Sequence, residues 1–378
     1  MILSRFRNSS TFFVCLVRFL VNGRAVAVPK NIKTVMIIQT AQMGDMVCTT
    51  PVFRAIKQAY PKVRLIVISN QSSLEVLKNN TDVDEIFVKP EFNELVRFIK
   101  AQASDYGCLA MPDFSALAAL YLAGVPAIVA PDVKTGISTG STGFYNLLKR
   151  FVITVPYHAG RYFAWQYLSL LAPLGIKTDA TTKHLGFSAA AQRSVEEFFA
   201  QHNIAKGKDR IIGFSASAGN KIKVWPSSKF ADVADYLFKQ YGAKLLLLGG
   251  PKDKAESDGV MAMIAKDTEV INCSEIFNID ELKAVIAKLD LFFSVDTGPI
   301  YIAEAFGIPT VDIIGPIDER EQPPIGPRHK IVSLHSSAVK PELTVLNARS
   351  YNQLEACRQS KEISATMVIE KIEEIING

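Results

Sequence analysis

The stretch IIQTAQMGDMVCTTPVFRAIKQAYP (Ile37–Pro61) begins as an apolar, β-branched run and ends as an amphipathic segment. This change of hydrophobic period predicts a buried strand followed by a helix that begins near Asp45. Asp45 comes directly after Gly44 and is the first acidic residue of the chain. The N–H groups at the start of a helix stabilise an acid there, so Asp45 is either a helix cap or a general base.

Short apolar runs alternate with helical segments along the rest of the chain. In the first half the strand-like runs are TVMIIQT, VRLIVIS, VDEIFV, YGCLAMP and PAIVAP. In the second half they are RIIGFSA, AKLLLLGG, TEVINCS, DLFFSV and PTVDIIGP, and we expect PTVDIIGP to be the last strand. The Gly-, Ser- and Thr-rich stretch VKTGISTGSTGFYN predicts a long loop. Apolar runs on every second element predict an α/β fold with parallel sheets covered by helices on both faces.

The length of 378 residues predicts two domains. The polar, turn-rich segment GIKTDATTKH separates the two series of strands. We therefore expect a basic apolar segment at 1–33, Rossmann-like domains at 34–180 and 181–350, and a C-terminal helix at 351–378. Ligands of such sheets bind beyond the carboxyl ends of the strands, so the natural site is a cleft between the domains.

The composition is that of an ordinary globular protein, with 48% hydrophobic and 21% charged residues. No pair of the five cysteines has C-x-x-C spacing, so neither a zinc site nor a disulfide framework is indicated, and reduced thiols in a cytoplasm fit best. Residues 1–44 contain six Lys and Arg residues and no acid, so the remainder is nearly neutral despite a net charge of +5. A nearly neutral body argues against nucleic-acid binding.

The N-terminal segment STFFVCLVRFLVNGRAVAVPKN allows several interpretations. Arg18 interrupts the apolar run, which argues against a membrane-spanning helix. A signal peptide fits the basic start and the AVA sequence at Ala25–Ala27, although Arg18 and Arg24 argue against it. The remaining interpretations are an interfacial helix on an anionic membrane surface and a plain helix packed on the protein body.

Three further places carry residues suited to binding or catalysis. In SASAGNKIKVWPSSKF, Lys223 can either reach an anionic ligand or be an ordinary surface charge. In LLLLGGPKDKAESD, the paired glycines allow a ligand to approach closely, but they also simply end strands. In SVDTGPIYIAEAFGIPT, Asp296 ends an apolar strand and Thr297–Pro299 open a helix. That arrangement predicts a diphosphate site, with a capping Asp-Thr turn as the alternative.

The sequence MGDMVCTTPVFRAIKQAYP, followed by K-x-W-P and then by DTGP, resembles the heptosyltransferase family of glycosyltransferases over roughly Thr34 to Pro316. The resemblance implies the GT-B architecture, with two Rossmann-like domains facing across a cleft and a C-terminal helix that crosses back to the first domain. It also implies transfer of a heptose from ADP-heptose to the inner core of lipopolysaccharide. Such an enzyme would be cytoplasmic and peripheral on the inner face of the inner membrane.

Matching positions give the roles that the resemblance implies. Asp45 corresponds to the general base, and Gly44 before it is expected to contact the donor nucleotide. Lys223 corresponds to the lysine that neutralises the leaving diphosphate. The motif that holds the donor sugar and its phosphates corresponds to one short run: Asp296, Thr297, Gly298 and Pro299.

Two positions depart from the family pattern and are expected to contact the donor. Tyr301 stands where the pattern usually has His, and a tyrosine donates one hydrogen bond to a phosphate but brings no positive charge. Asp253 follows the glycines of GGPKD where the pattern has Glu. A same-fold glycosyltransferase with a different nucleotide-sugar donor therefore stays open, as does a non-catalytic sugar-nucleotide binding protein. A hydride-transfer enzyme has little support, because no G-x-G-x-x-G follows the first strand.

The implied roles give an inverting mechanism. Asp45 would take a proton from the acceptor hydroxyl, whose oxygen attacks the anomeric carbon opposite the diphosphate. Lys223 and the helix start near Thr297 would stabilise the leaving diphosphate. No Asp-x-Asp pair ends a strand in the second half, so we predict no metal, and we expect no cofactor. The acceptor would be a lipid-linked core oligosaccharide at the inner membrane surface, which would attract the basic N-terminus.

Overall fold

The computed structural model describes residues 2–347 and 350–378, with side chains from Asn8 onward. The chain divides into two compact units, of which the first ends at Thr182 and the second begins at Lys183. Each unit is built on a parallel sheet with helices, which confirms the predicted α/β class.

Six parallel strands form the sheet of the first unit in the described part of the chain: β1 (Thr34–Ile38), β2 (Arg64–Ser69), β3 (Glu85–Val88), β4 (Tyr106–Leu109), β5 (Ala127–Thr135) and β6 (Ile153–His158). Their order is β3-β2-β1-β4-β5-β6, so β1 pairs with both β2 and β4. All of β1 is buried, as its β-branched run predicts. Sheets of this order bind ligands beyond the carboxyl ends of the two strands where the order reverses, here β1 and β4.

The helices of the first unit are α1 (Ile2–Asn22), α2 (Met43–Ala59), α3 (Gln71–Leu77), α4 (Phe92–Gln102), α5 (Phe114–Ala123), α6 (Gly143–Leu148) and α7 (Phe163–Ser169). Short 3-10 turns lie at Lys149–Phe151 and Ala172–Leu174. Among the described residues, no helix has both the length and the apolar character that crossing a membrane requires.

The second unit repeats this plan. Its strands, within the same described ranges, are β7 (Ile211–Ser215), β8 (Lys244–Leu247), β9 (Val270–Asn272), β10 (Leu291–Val295), β11 (Thr310–Ile313) and β12 (His329–Val332). They are parallel in the order β12-β11-β10-β7-β8-β9, so β7 occupies the place that β1 has in the first unit. The strands where the order reverses are β7 and β10, and their carboxyl ends are the expected ligand-binding edge.

The helices of the second unit are α8 (Ala189–Gln201), α9 (Ser227–Tyr241), α10 (Lys254–Met261), α11 (Ile279–Ile286), α12 (Gly298–Ala305), α13 (Gln353–Glu362) and α14 (Ala365–Ile376). Two 3-10 turns, at Lys221–Lys223 and Pro251–Asp253, follow β7 and β8.

The C-terminal helix α14 packs on the second unit, against α9, β11 and β12. Val368 and Ile372 on its apolar stripe are fully buried and belong to the same core as Phe214 of β7. The backbone carbonyl of Ile363, just before α14, accepts a hydrogen bond from Trp225 Nε1 at 2.9 Å. That this helix crosses back to the first domain stays a prediction.

Three elements differ from the sequence-based expectation. The predicted loop VKTGISTGSTGFYN is only partly a loop, because Thr142 caps α6, whose Tyr145 is fully buried. Strand β6 was not predicted, since its buried and exposed residues alternate and its apolar signal is weak. PTVDIIGP is not the last strand, because β12 follows it. β12 lies at the sheet edge and buries only Val332, so it lacks the apolar run of a central strand.

The strand β11 carries an acid in the core. Both carboxylate oxygens of Asp312 are buried and have no hydrogen-bond partner in the described ranges. Burial raises the pKa of Asp312 well above its usual value, and the negative charges of Asp296 and Glu304 raise it further while Lys223 opposes them. Burial therefore favours the neutral form of Asp312.

We expect Ile372→Ala to lower the free energy of unfolding of the second unit by about 2–5 kcal/mol, because it empties a fully buried site. The fluorescence of Trp225 in a Trp165→Phe background would report the unfolding of this unit, since the chain has only these 2 tryptophans. The matched control is Leu354→Ala, which is 85% exposed and should change stability by less than about 0.5 kcal/mol. Equal losses in the two variants would contradict the docking of α14.

We expect Asp312→Asn to gain stability relative to the parent protein as pH rises. The folded state favours the neutral acid. The contribution of Asp312 to folding stability is therefore complete below its unfolded pKa of about 3.9, and it is lost as pH rises through the raised pKa of the folded state. Asparagine does not titrate, so the difference should grow by up to about 1.4 kcal/mol per pH unit above about pH 4. Urea unfolding between pH 4 and 8 measures it, and parallel pH profiles would rule out a neutral Asp312.

Candidate functional site

Asp45 lies in the first turn of α2, just beyond the carboxyl end of β1. This is the ligand-binding edge expected from the strand order. The preceding residue, Gly44, is buried, whereas Asp45 is partly exposed. The structure thus has the carboxylate at the strand-to-helix junction that the sequence predicted, within reach of solvent.

The loop that presents Asp45 is fixed by hydrogen bonds. The backbone N–H of Gln42 donates to Asp45 Oδ2 at 3.0 Å, so the carboxylate caps its own helix. The Thr49 hydroxyl donates to the Asp45 carbonyl at 2.7 Å and accepts from the buried Gln39 amide at 3.1 Å. The negative charge of Asp45 also contributes, after burial, to raising the pKa of Tyr157 at the end of β6. The capping role is therefore observed, and a role as base would be additional to it.

Lys223 and Asp296 come together at the carboxyl ends of β7 and β10. Lys223 ends the 3-10 turn after β7, and Asp296 directly follows β10. The Lys223 ammonium donates to the Asp296 carbonyl at 2.6 Å and to Asp296 Oδ2 at 2.9 Å. The two side chains are only 16% and 9% exposed, so Lys223 is not an ordinary surface charge. One positive group is therefore held at the ligand-binding edge of the second sheet.

Tyr301, on the first turns of α12, completes this cluster. Its hydroxyl donates to Asp296 Oδ1, and the residue is 3% exposed. The Asp296 carboxylate thus accepts from Tyr301 on one oxygen and from Lys223 on the other. A direct contact of Tyr301 with the donor, as the sequence suggests, stays a prediction, while its observed role is to orient Asp296.

The start of α12 is open to an anion. Thr297 is its N-cap residue in extended conformation, and its side chain makes no capping hydrogen bond in the described structure. Pro299 occupies the first turn, as expected just inside a helix start. Thr297, Gly298 and Pro299 are partly exposed although the neighbouring Asp296 is buried. A partly exposed helix start beside an ammonium forms a site suited to phosphate oxygens.

The glycine turn after β8 is more closed than its sequence suggests. Asp253 Oδ2 accepts from the backbone N–H of Gly250 at 2.8 Å, so this acid braces its own turn. A side chain at Gly249 would begin only 3.2 Å from Asp253 Cβ and 3.3 Å from Ser257 Oγ. A side chain at Gly249 would therefore crowd this turn, and a donor contact by Asp253 stays a prediction.

Two further acids lie near this edge: Asp312, which sequence reasoning missed, and Glu256, one of the acids beyond the glycines of LLLLGGPKDKAESD. Glu256 accepts from Lys221 at 2.5 Å, and its other oxygen is buried without a hydrogen-bond partner in the described residues. Asp312 lies in the electrostatic field of Asp296 and Lys223, as described above. An acid inside the apolar run PTVDIIGP was the available signal for Asp312, whereas Glu256 looks like any polar helix residue.

Lys183 ties the start of the second unit to α12. Its ammonium lies 2.6 Å from Glu304 Oε2, with both side chains buried. Burial raises the pKa of Glu304, and the charge of Lys183 opposes that rise. Within the described ranges, no group of three or more His, Cys, Asp and Glu side chains is arranged to hold a metal ion. Metal-independent chemistry stays a prediction.

Several known proteins are similar to this chain. Lipopolysaccharide heptosyltransferase 3 of Escherichia coli K12 is 25% identical over 287 residues, which cover 73% of this chain and 80% of that protein. The glycosyl transferase family 9 structure from Veillonella parvula has a TM-score of 0.73 at 20% identity, over 94% of this chain and 100% of that one. Escherichia coli ADP-heptose lps heptosyltransferase II has a TM-score of 0.70 at 17% identity, over 91% and 98%. These structures confirm the GT-B type of fold.

The family model described as glycosyltransferase family 9 (heptosyltransferase) matches residues 113–348. The matched range is more than half of the chain and includes Lys223, Asp253 and the run from Asp296 to Tyr301, but not Asp45. The chain belongs to glycosyltransferase family 9, the heptosyltransferases, as its motifs predicted.

Proposed function

We propose that this glycosyltransferase moves a heptose from ADP-heptose to an inner-core acceptor of lipopolysaccharide, with inversion at the anomeric carbon. The observation that carries the proposal is the Lys223 ammonium, on a largely covered side chain, 2.9 Å from Asp296 Oδ2 and beside the open start of α12. Phosphate oxygens are the natural ligands of an ammonium group next to a helix start. The solved Escherichia coli heptosyltransferase II is named for ADP-heptose and lipopolysaccharide, which supports the same donor and acceptor class.

Lys223 and the α12 start would act on the leaving group. In the structure, the Lys223 ammonium donates to the Asp296 carboxylate and carbonyl. A bound diphosphate would compete for the ammonium, while Tyr301 would continue to hold Asp296. As the glycosidic bond breaks, negative charge accumulates on the diphosphate, and preorganised donors aimed at that charge lower the barrier. No metal is required by this scheme.

Asp45 would act on the acceptor as the general base. Its carboxylate takes the proton from the acceptor hydroxyl as the oxygen forms a bond to the anomeric carbon. The nucleoside diphosphate then departs from the opposite face with the electron pair of the broken bond. Hydrogen bonds from Gln42 and Thr49 fix the residue in the first turn of α2, so a small change of side chain there should disturb chemistry more than fold.

The acceptor would be lipid-linked, so we also propose a cytoplasmic enzyme that is peripheral on the inner face of the inner membrane. The charge distribution supports this, because the first 44 residues carry six basic side chains and no acidic one. Basic residues close to the N-terminus are attracted to anionic lipid.

A second candidate is the same reaction with another nucleotide-sugar donor. Tyr301, which replaces the histidine of the family pattern, has its hydroxyl engaged by Asp296 and adds no positive charge. Asp253, which replaces the glutamate, is engaged by the backbone of Gly250. Both observations favour a donor site that differs in detail from the family pattern.

We expect Asp45→Asn to reduce transfer by at least about a hundredfold, the scale of losing a general base, with ADP binding unchanged. Product formation from crude core acceptor and several nucleotide sugars measures the loss. The matched control is Glu94→Gln, which removes another first-turn acid, on α4, and should retain activity. Turnover at the parent rate in Asp45→Asn would refute the base, and binding without turnover in the parent protein would favour a non-catalytic protein.

We expect Lys223→Met to weaken ADP binding at least about tenfold, because a charge-assisted contact to the diphosphate is removed. Calorimetry with ADP, UDP and GDP measures this loss and the base preference together. The matched control is Lys221→Met in the same turn, whose side chain is 60% exposed and pairs with Glu256. Unchanged ADP affinity in Lys223→Met would contradict the diphosphate site, and a clear preference for UDP would refute the ADP donor.

A further inference from the structure

Helix α1 is anchored to the first unit by one of its faces. Cys15 is fully buried, and Phe12 and Phe19 pack against the same core. The Phe19 ring stacks on Phe151 with centroids 4.2 Å apart. At the end of the helix, the Tyr121 hydroxyl donates to the carbonyl of Gly23. These contacts fix the orientation of α1 on the protein body.

The opposite face of α1 is apolar and exposed. Its large side chains follow helical spacing and are 46–78% exposed: Phe13, Val14, Val17, Leu20 and Val21. We call these five residues the outer stripe. Leu147, on the neighbouring helix α6, is a further exposed apolar side chain at 43%. A helix that is apolar on both faces is normally covered on both faces, yet here only the inner one is.

The surroundings of the outer stripe are basic. Arg18 lies on α1 with its guanidinium against Gly124 at the end of α5, and Arg24 is exposed just beyond α1. The helices packed on α1 are α5 and α6, whose sequences FSALAALYLA and GFYNLL contain no acid. The turn KRF after α6 adds the exposed Arg150 and also Lys149, which pairs with Asp132 at 2.6 Å. The α5 cap Asp113 is likewise paired, with Lys89 at 2.5 Å.

We infer that the outer stripe of α1 inserts into the surface of an anionic lipid bilayer, with the helix lying in the plane of that surface. The inner face is occupied by the protein body, so only the outer stripe is available to acyl chains. The exposed cations Arg24, just beyond α1, and Arg150, just after α6, supply positive charge for anionic headgroups. Both signals that stable interfacial binding needs, apolar area and positive charge, are therefore on one surface.

A second copy of the chain fits this face less well than lipid does. A two-fold symmetric dimer would bring the same patch of both copies, with its exposed Arg24 and Arg150, into one contact. Like charges at such a contact oppose association. Anionic headgroups complement the same charges, and this decides between the two occupants.

The biological meaning of this inference rests on the proposed function. It adds to that function the surface that would bring the enzyme to a lipid-linked acceptor. Vesicle binding itself does not depend on donor, acceptor or catalysis. Transfer to a lipid-free core acceptor, measured in parallel, separates a failure of the membrane surface from a failure of the proposed reaction.

The test is cosedimentation of the full chain with vesicles made of equal parts phosphatidylglycerol and phosphatidylethanolamine, and with vesicles of phosphatidylcholine alone. The informative variant is Leu20→Glu with Val21→Glu, which places two charges on the outer stripe at sites 75% and 78% exposed. The matched control is Met263→Glu with Leu354→Glu, at sites 59% and 85% exposed on the second unit. Neither pair should disturb the fold, since all four side chains lie outside the core.

We expect the parent protein and the control to bind the anionic vesicles, and the outer-stripe variant to bind at least about tenfold more weakly. Binding should be weaker on phosphatidylcholine and should fall with salt. Transfer to lipid-free acceptor should be equal in all three proteins. Equal vesicle binding by the variant and the parent protein would overturn the inference. It would also be overturned if neither protein bound vesicles and light scattering showed a dimer of the parent that the variant no longer forms.

Discussion

The carboxylate of Asp296 is the point on which the candidate donor site depends. It is nearly buried, and a buried charge is stable only when its hydrogen bonds and a counter-charge are supplied. Lys223 supplies the charge and Tyr301 supplies a second hydrogen bond. The turn after β7 and the first turns of α12 are thereby held to the end of β10. Removing Asp296 would take this contact from both Lys223 and Tyr301, and removing either of those two would leave the buried carboxylate with one donor fewer.

The repeated strand order explains why the candidate residues lie where they do. In each unit the order reverses between two central strands, β1 and β4 in the first and β7 and β10 in the second. Asp45 follows β1, and Lys223 and Asp296 follow β7 and β10. The same topology therefore delivers an acid on one sheet and a cation with a helix start on the other. These are the two chemical functions that transfer from a nucleoside diphosphate requires.

The sequence predicted the fold because the central strands are apolar runs whose burial leaves a clear pattern, as in β1 and β10. Edge strands carry less of that pattern, so β6 and β12 were missed. The sequence also predicted the junctions that hold Asp45, Lys223 and Asp296. It could not predict the partners, because the Tyr301 hydroxyl reaches Asp296 only once α12 folds against β10. The sequence likewise could not predict which apolar face of α1 is buried and which is exposed, because that depends on how the helix packs on the first unit.

A crystal structure of the protein with ADP bound tests the donor site most directly. We expect diphosphate oxygens within about 3 Å of Lys223 Nζ and of the N–H groups at the start of α12, with Asp296 still hydrogen-bonded to Tyr301. Nucleotide bound elsewhere on the molecule, with the Lys223 ammonium still on Asp296, would contradict it.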